Sequence, residues 1–109
     1  MEDCVFCQIA QGKISKKFTA ESKNVMVFPD INPVAPLHLL IVPKKHIEDL
    51  MAFKKVEENI FEEMIRMVKE LVEKNNLSAY RLVINGGSAK LVNHLHVHLM
   101  GGIDAHRKI

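Results

Sequence analysis

Near the end of the sequence, three histidines alternate with three aliphatic residues in the order His94-Leu95-His96-Val97-His98-Leu99. In a β-strand, residues two positions apart project from the same face, about 6.5–7 Å from one another. The order therefore puts the imidazoles on one face and the aliphatic side chains on the other, whereas a helix would turn His96 away. The β-branched valines and the following Gly101-Gly102 pair favour a strand over residues 92–100. Such a chain gives one face of a sheet to titratable rings.

The remaining apolar pattern predicts one long helix and several short strands. Apolar residues recur at spacings of three and four from Val56 to Val72, with charged residues between them, so we expect an amphipathic helix over residues 53–76. Strands before and after a single long helix indicate an α+β fold with a largely antiparallel sheet. The shorter apolar runs predict a helical turn at residues 4–11 and strands at residues 18–21, 25–28, 37–42 and 80–84.

The composition is that of an ordinary globular protein, and we expect a single domain over residues 1–109. A net charge of +2 is too small to indicate nucleic acid as a partner. No apolar run approaches the roughly 20 residues of a membrane span, and the acidic start Met1-Glu2-Asp3 is unlike a secretory signal. We therefore expect a cytoplasmic protein with reduced cysteines, in which Cys4-x-x-Cys7 binds a metal or acts in redox chemistry.

The alternating histidines allow three interpretations. They could be surface residues on a solvated sheet face, although three imidazoles in strict alternation are unusual there. They could hold a metal, since imidazole is a common ligand, but three in a row are spread widely for one tetrahedral ion. They could act in covalent catalysis, in which one imidazole attacks phosphorus while its neighbours position the phosphate and protonate the leaving group.

Several segments together resemble one known family. His94-Leu-His-Val-His-Leu-Met-Gly-Gly is similar to the His-φ-His-φ-His-φ-φ signature (φ, apolar) of the histidine triad (HIT) superfamily. Cys4-Val-Phe-Cys-Gln-Ile, Phe28-Pro-Asp-Ile-Asn-Pro and the run from Ala35 to Ile47 resemble its other characteristic segments. The nearest branch is that of the histidine triad nucleotide-binding proteins, which are purine nucleoside phosphoramidases. The resemblance implies a HIT-like fold that dimerises into a continuous sheet.

The resemblance also implies a reaction. In this family the middle histidine is the nucleophile, which assigns that role to His96. It would attack the α-phosphorus of a purine nucleoside phosphoramidate or related nucleotide, form a nucleotidyl-histidine and release AMP or GMP after hydrolysis. His98 would hold the phosphate oxygens or assist the leaving group, and His38 would relay protons or be a buried, hydrogen-bonded histidine. The alternative is a nucleotide-binding regulatory module with little turnover, because binding AMP needs the same residues.

The nucleotide-binding residues follow from the same resemblance. Asp30 would accept hydrogen bonds from both ribose hydroxyls, and Asn85 would contact the phosphate region. Lys90 stands where many members carry Gln, and Leu91 where they often carry Ser, so the phosphate loop of Lys90, Leu91 and Val92 departs from the family. The apolar cleft around the base, for which plain core packing is the alternative, would consist of Val5, Phe6, Ile9, Phe28 and Ile31.

Finally, the resemblance implies a zinc site. In related members a Cys-x-x-Cys pair joins two histidines, and the matching residues here are Cys4, Cys7, His46 and His94. This Cys2His2 set suits a tetrahedral structural ion with no position left for water. His94 would then belong to both the triad and the zinc site. The alternatives for the cysteines are two reduced, buried thiols or a redox pair.

Overall fold

A computed structural model describes residues 3–108, so the predicted domain limits at residues 1 and 109 lie outside the described range. Two α-helices, five strands and three short 3-10 turns make up this part of the chain. The helices are α1 (Val5–Ala10) and α2 (Glu58–Lys74), and the 3-10 turns are Leu50–Ala52, Lys55–Glu57 and Gly87–Ala89. The strands are β1 (Ala20–Glu21), β2 (Val25–Pro29), β3 (Leu37–Pro43), β4 (Tyr80–Ile84) and β5 (Val97–Gly101).

The five strands form one antiparallel sheet in the order β1-β2-β3-β5-β4. This arrangement confirms the predicted α+β fold with its long and short helices. β5 lies between β3 and β4, and His98 is paired with Leu40 on one side and with Val83 on the other. The last histidine of the triplet is therefore held by hydrogen-bonded strands on both flanks.

The alternation of side chains along the strands builds two apolar layers. On one face, Leu39, Val97 and Leu99 pack against the buried stripe of α2, which includes Met64 and Leu71. On the opposite face, α1 and its N-cap residue pack against β2 and β3. The buried residues of this second layer are Cys4, Phe6, Cys7, Ile9, Met26, Phe28, Leu40 and Val42. The period of two explains the two layers, because neighbours in a strand must point to opposite sides.

The long helix begins later than the predicted residue 53. The chain makes 3-10 turns from Leu50 to Ala52 and from Lys55 to Glu57, and α2 starts only at Glu58. The carboxylate of Glu57 accepts a hydrogen bond from the Lys54 backbone N–H and pairs with the Lys45 ammonium. These contacts hold a tight turn where the apolar spacing alone predicted a helix. Among the described helices, none is long and apolar enough to cross a membrane.

The predicted strand over residues 92–100 is also too long, because β5 begins at Val97. Pairing with both neighbouring strands ends at Val97, opposite Ile41 and Ile84. Before that point the Leu95 N–H donates to the Ile47 carbonyl at 2.7 Å, outside the strand ladder. His94 and His96 thus lie in an irregular segment leading into the strand. They are also buried, which argues against the interpretation of the histidines as surface residues on a solvated sheet face.

Candidate functional site

A cavity of about 550 Å³ opens on the sheet face covered by α1. Its wall combines side chains from α1, from the loop after β2, and from the loop between β4 and β5. Eleven of the residues predicted from the sequence line it: Val5, Phe6, Ile9, Phe28, Asp30, Ile31, Asn85, Leu91, Val92, His96 and His98. The structure adds further lining residues that the sequence patterns did not indicate, among them Ile14, Lys16 and Leu40.

His96 lines this cavity, and a backbone carbonyl determines which of its ring nitrogens carries the proton. Its Nδ1 lies 2.8 Å from the carbonyl oxygen of His94. A carbonyl oxygen only accepts, so Nδ1 carries the proton and donates it. In the neutral ring the lone pair is therefore on Nε2, the nitrogen that a nucleophilic imidazole would use. The Phe6 ring lies edge-on at 5.2 Å between centroids and fixes the ring plane.

His98 ends a hydrogen-bond chain that begins in the loop after β2. The Val34 N–H donates to His38 Nδ1 at 3.1 Å, so the neutral His38 ring carries its proton on Nε2. That Nε2–H donates to His98 Nδ1 at 2.9 Å, which leaves His98 with a proton on Nε2. The chain therefore orients His98 as a hydrogen-bond donor, complementary to the acceptor on His96.

Asp30 completes this group of side chains. One of its oxygens accepts the Asn32 N–H at 2.8 Å, while the other lies 3.4 Å from His38 Nε2 and 3.8 Å from His98 Nδ1. Burial, followed by the nearby His96 and His38, lowers the pKa of His98, and the Asp30 carboxylate partly opposes this effect. His98 is thus kept neutral near pH 7. The protonated His38 Nε2 argues against reading Asp30, His38 and His98 as a metal site.

A second cluster lies beside the cavity and consists of the four predicted zinc ligands. Their ligand atoms all fall within 4.8 Å of one another. His94 Nδ1 lies 3.2 Å from Cys4 Sγ, 3.6 Å from Cys7 Sγ and 3.2 Å from His46 Nδ1, and Cys7 Sγ lies 3.3 Å from His46 Nδ1. Ligand atoms around a tetrahedral zinc are about 3.3–3.8 Å apart, given its usual bond lengths. Two sulfurs and two imidazole nitrogens at these separations fit zinc.

The surroundings of His94 also suit a metal ligand. Its Nε2–H donates to the Pro43 carbonyl at 2.8 Å, so the lone pair of Nδ1 faces the cysteine sulfurs. Burial lowers the pKa of His94 to about 4, which keeps the ring neutral. Burial and the adjacent Cys4 raise the pKa of Cys7 to about 11, so its thiol keeps its proton unless a cation is present. A divalent ion would reverse this preference and bind the thiolate.

Lys90 is the predicted site residue that the structure directs elsewhere. It does not line the cavity; its ammonium contacts the Glu48 carbonyl, the Asn93 side-chain oxygen at 3.0 Å and the Asp49 carboxylate at 3.2 Å. Asp49, which no sequence pattern singled out, also accepts the Gly87 N–H at 2.8 Å. Leu91, next in the chain, is fully exposed at the cavity mouth. The loop is thus anchored by Lys90 and presents Leu91 to the opening.

A five-stranded antiparallel sheet with a histidine-lined cavity under a short helix defines an α+β protein with a candidate active site. A family model described as "Scavenger mRNA decapping enzyme C-term binding" matches residues 3–107. Protein HitA of Neisseria gonorrhoeae is 36% identical over 104 residues, covering 93% of this chain and 97% of the relative. An uncharacterized HIT-like protein of Methanocaldococcus jannaschii is 35% identical, covering 89% of this chain and 77% of the relative.

Solved structures of HIT proteins are also similar to this chain. A HIT family hydrolase of Legionella pneumophila superimposes with a TM-score of 0.88 at 40% identity, covering 94% of this chain and 95% of that one. A HIT family hydrolase of Clostridium thermocellum gives a TM-score of 0.91 at 35% identity, covering 100% and 98%. The chain belongs to the histidine triad family.

Proposed function

We propose that this protein is a HIT-type hydrolase that cleaves the bond between the α-phosphorus of a purine nucleotide and its leaving group, as in a nucleoside phosphoramidate. The observation that carries the proposal is the 2.8 Å contact between His96 Nδ1 and the His94 carbonyl, which leaves Nε2 as the nucleophilic nitrogen. Two of the similar solved structures are described as HIT family hydrolases. Their names support the reaction class.

The cavity offers a separate place for each part of the nucleotide. Val5, Ile9 and Phe28 form apolar walls against which a purine can stack. The Asp30 carboxylate, at the cavity edge, can accept hydrogen bonds from the ribose hydroxyls. The α-phosphate would then lie between His96, His98 and Asn85, three polar side chains that line the cavity.

The two ring tautomers supply the electron-pair donor and the hydrogen-bond donor that the reaction needs. The His96 Nε2 lone pair forms a bond to phosphorus while the bond to the leaving group breaks, and the electron pair departs with that group. The Nε2–H of His98 donates a hydrogen bond to the departing nitrogen or oxygen, which takes its proton from solvent water as it leaves. In the second step water attacks phosphorus and releases a proton to solvent, the bond to His96 breaks with its electron pair returning to Nε2, and AMP or GMP leaves. The hydrogen bond from His38 Nε2–H to His98 Nδ1 keeps the His98 ring in this orientation through both steps.

We further propose that Cys4, Cys7, His46 and His94 hold a structural zinc ion. Four protein ligands leave no open position, so the ion would supply rigidity rather than activated water. It would join α1, which walls the base end of the cavity, to the segment that carries His96. The separations of the four ligand atoms and the hydrogen bond from His94 to Pro43 support this assignment.

A homodimer with a continuous sheet is the third part of the proposal. β4 is the last strand of the described sheet, and it carries the exposed Tyr80 and Leu82. An unpaired edge with apolar side chains is suited to pair with a second copy. Leu82→Lys should therefore give a monomer in sedimentation analysis, with Met51→Lys, a change at an exposed residue of the Leu50–Ala52 turn, as the matched control. A monomeric wild-type protein would contradict the dimer.

The reaction is tested by brief acid quenching of the protein with adenosine 5′-phosphoramidate, followed by mass spectrometry and by assay of AMP. We expect an adenylyl mass increase mapping to His96, or AMP release, and neither in His96→Gly. His106→Asn is the matched control, because His106 is an exposed histidine of the C-terminal tail. Tight AMP binding without an adduct or AMP release would instead support the nucleotide-binding regulatory module. Equal rates in wild type and His96→Gly would also contradict the hydrolase.

A further inference from the structure

Lys16 places a positive charge at the end of the cavity that lies away from the histidines. It lines the wall beside Ile14, in the segment between α1 and β1, and its Nζ lies 5.3 Å from the centroid of the Phe28 ring. The Phe28 ring contacts Phe6 at 5.8 Å between centroids, and Phe6 contacts His96 at 5.2 Å. A chain of contacts through the Phe28 and Phe6 rings therefore links the Lys16 ammonium to His96. A nucleotide with its phosphate at His96 would bring its base to this end.

Among the described residues, the Lys16 ammonium has N–H donors without a hydrogen-bond acceptor. Within residues 3–108, its recorded interaction is the contact with the Phe28 ring, and no carboxylate lies within ion-pairing distance of it. The ammonium groups of Lys44, Lys45 and Lys90 each pair with a carboxylate. A lysine ammonium carries three N–H donors and cannot accept a hydrogen bond. Lys16 is also half-buried, so water screens its charge less than that of a fully exposed lysine.

We propose that Lys16 selects the base by donating a hydrogen bond to the oxygen at position 6 of a purine. The inference rests on the proposed function and narrows its substrate class to 6-oxopurine nucleotides, those of guanine and hypoxanthine. Guanine presents two adjacent acceptors on this edge, O6 and N7, whereas adenine replaces O6 with an amino donor. An ammonium group facing that edge favours the first pattern and opposes the second.

Two neighbouring residues make the proposal specific to Lys16. Lys17 is exposed and lines an adjoining groove rather than the cavity, so it carries the same charge without facing the base. Ser15 lines the cavity but has a short side chain, and its hydroxyl both donates and accepts, so it does not discriminate between an oxo and an amino group. The discrimination should therefore depend on Lys16 rather than on these two neighbours.

The experiment compares the binding of IMP and AMP by calorimetry, because these nucleotides differ only in the group at position 6 and the proton on N1. We expect IMP to bind the wild-type protein about tenfold more tightly than AMP. Lys16→Met, which keeps the apolar stem, should bring the ratio close to one, and Lys16→Arg should restore the preference for IMP. Lys17→Met should leave the ratio unchanged.

The outcomes separate this inference from the function on which it rests. Equal affinities for IMP and AMP in the wild type, or a preference that survives in Lys16→Met, would overturn the role of Lys16 while leaving a nucleotide site in place. Failure of both nucleotides to bind would overturn the proposed function itself. Thermal unfolding of each variant shows that the comparison is made on folded protein.

Discussion

The ammonium of Lys90 lies 3.2 Å from the Asp49 carboxylate, and this pair joins the loop before the histidine triplet to the turn after His46. The Lys90 side chain is only 7% exposed, and its other contacts are oxygens of Glu48 and Asn93. The ion pair thus connects the two segments that bring His46 and His94 together. It explains how a lysine can occupy a position expected to face phosphate without entering the cavity.

Replacing Lys90 tests this anchoring role. Lys90→Met should lower the melting temperature by about 4–8 °C, because several polar atoms lose their partner where the Lys90 side chain is largely shielded from water. The double variant Asp49→Asn/Lys90→Met should cost little more than Lys90→Met alone, since both changes break the same contact. Lys55→Met is the control, because Lys55 is an exposed lysine in the Lys55–Glu57 turn. Strictly additive losses in the double variant would contradict a shared contact.

Asp49 predicts a pH dependence of stability. Backbone N–H groups of Gly87 and Met51, and then Lys90, lower its pKa to about 2 from the usual value of 3.8. A carboxyl with a lowered pKa in the folded state stabilises above its unfolded pKa, and the contribution is lost as the pH falls through the folded pKa. The difference in melting temperature between wild type and Asp49→Asn should therefore shrink as the pH falls from about 4 to about 2. A constant difference would show that the carboxylate charge is not involved.

The opposing effects of Asp30 and of the nearby histidines on the pKa of His98 can be measured directly. Asp30 is the contact that raises the pKa of His98 against burial and the two nearby imidazoles. Asp30→Asn should therefore lower the pKa of His98 further, as followed by NMR titration of its ring protons. Because the lowered pKa disfavours the charged form, the stability that depends on neutral His98 is lost as the pH falls below about 6.5. Asp104→Asn, at an exposed position in the tail, should leave the titration unchanged.

Zinc binding can be tested without any activity assay. Elemental analysis of protein purified without added metal should give one zinc per chain, and a chelator should lower the melting temperature. Cys7→Ser should reduce the zinc content, because the hydroxyl is a much poorer ligand than a thiolate. His106→Asn should retain full zinc content. Substoichiometric zinc with reactive thiols in the wild type would contradict the metal site.

The packing of α2 gives a prediction about the core. Met64 is fully buried between the helix and the sheet, so Met64→Ala should lower the free energy of unfolding by about 2–5 kcal/mol. Met51→Ala is the matched control, because this methionine is 88% exposed and the change should stay within about 0.5 kcal/mol. Denaturant unfolding measures both. A large effect at Met51 would indicate that another surface covers it.

Local patterns in the sequence determined the element types and the side to which many residues turn. The spacing of two in residues 94–99 sends Leu95, Val97 and Leu99 into the core against α2, and this follows from strand geometry alone. The spacing of three and four likewise identified α2, whose buried residues include Met64 and Leu71. Resemblance to the family, rather than spacing, supplied the four ligands of the second cluster.

Only the tertiary structure decided where the elements end and which side chains meet. β5 starts at Val97 because the Leu95 N–H bonds to Ile47, a residue 48 positions earlier that no local pattern connects with it. The orientation of His98 depends on His38, and that of Lys90 on Asp49, both distant in sequence. Periodicity fixes the direction of a side chain relative to its own element. The partner that it finds there depends on how separate elements pack, and this packing leaves His94 and His96 buried and His98 half-buried rather than exposed in a row.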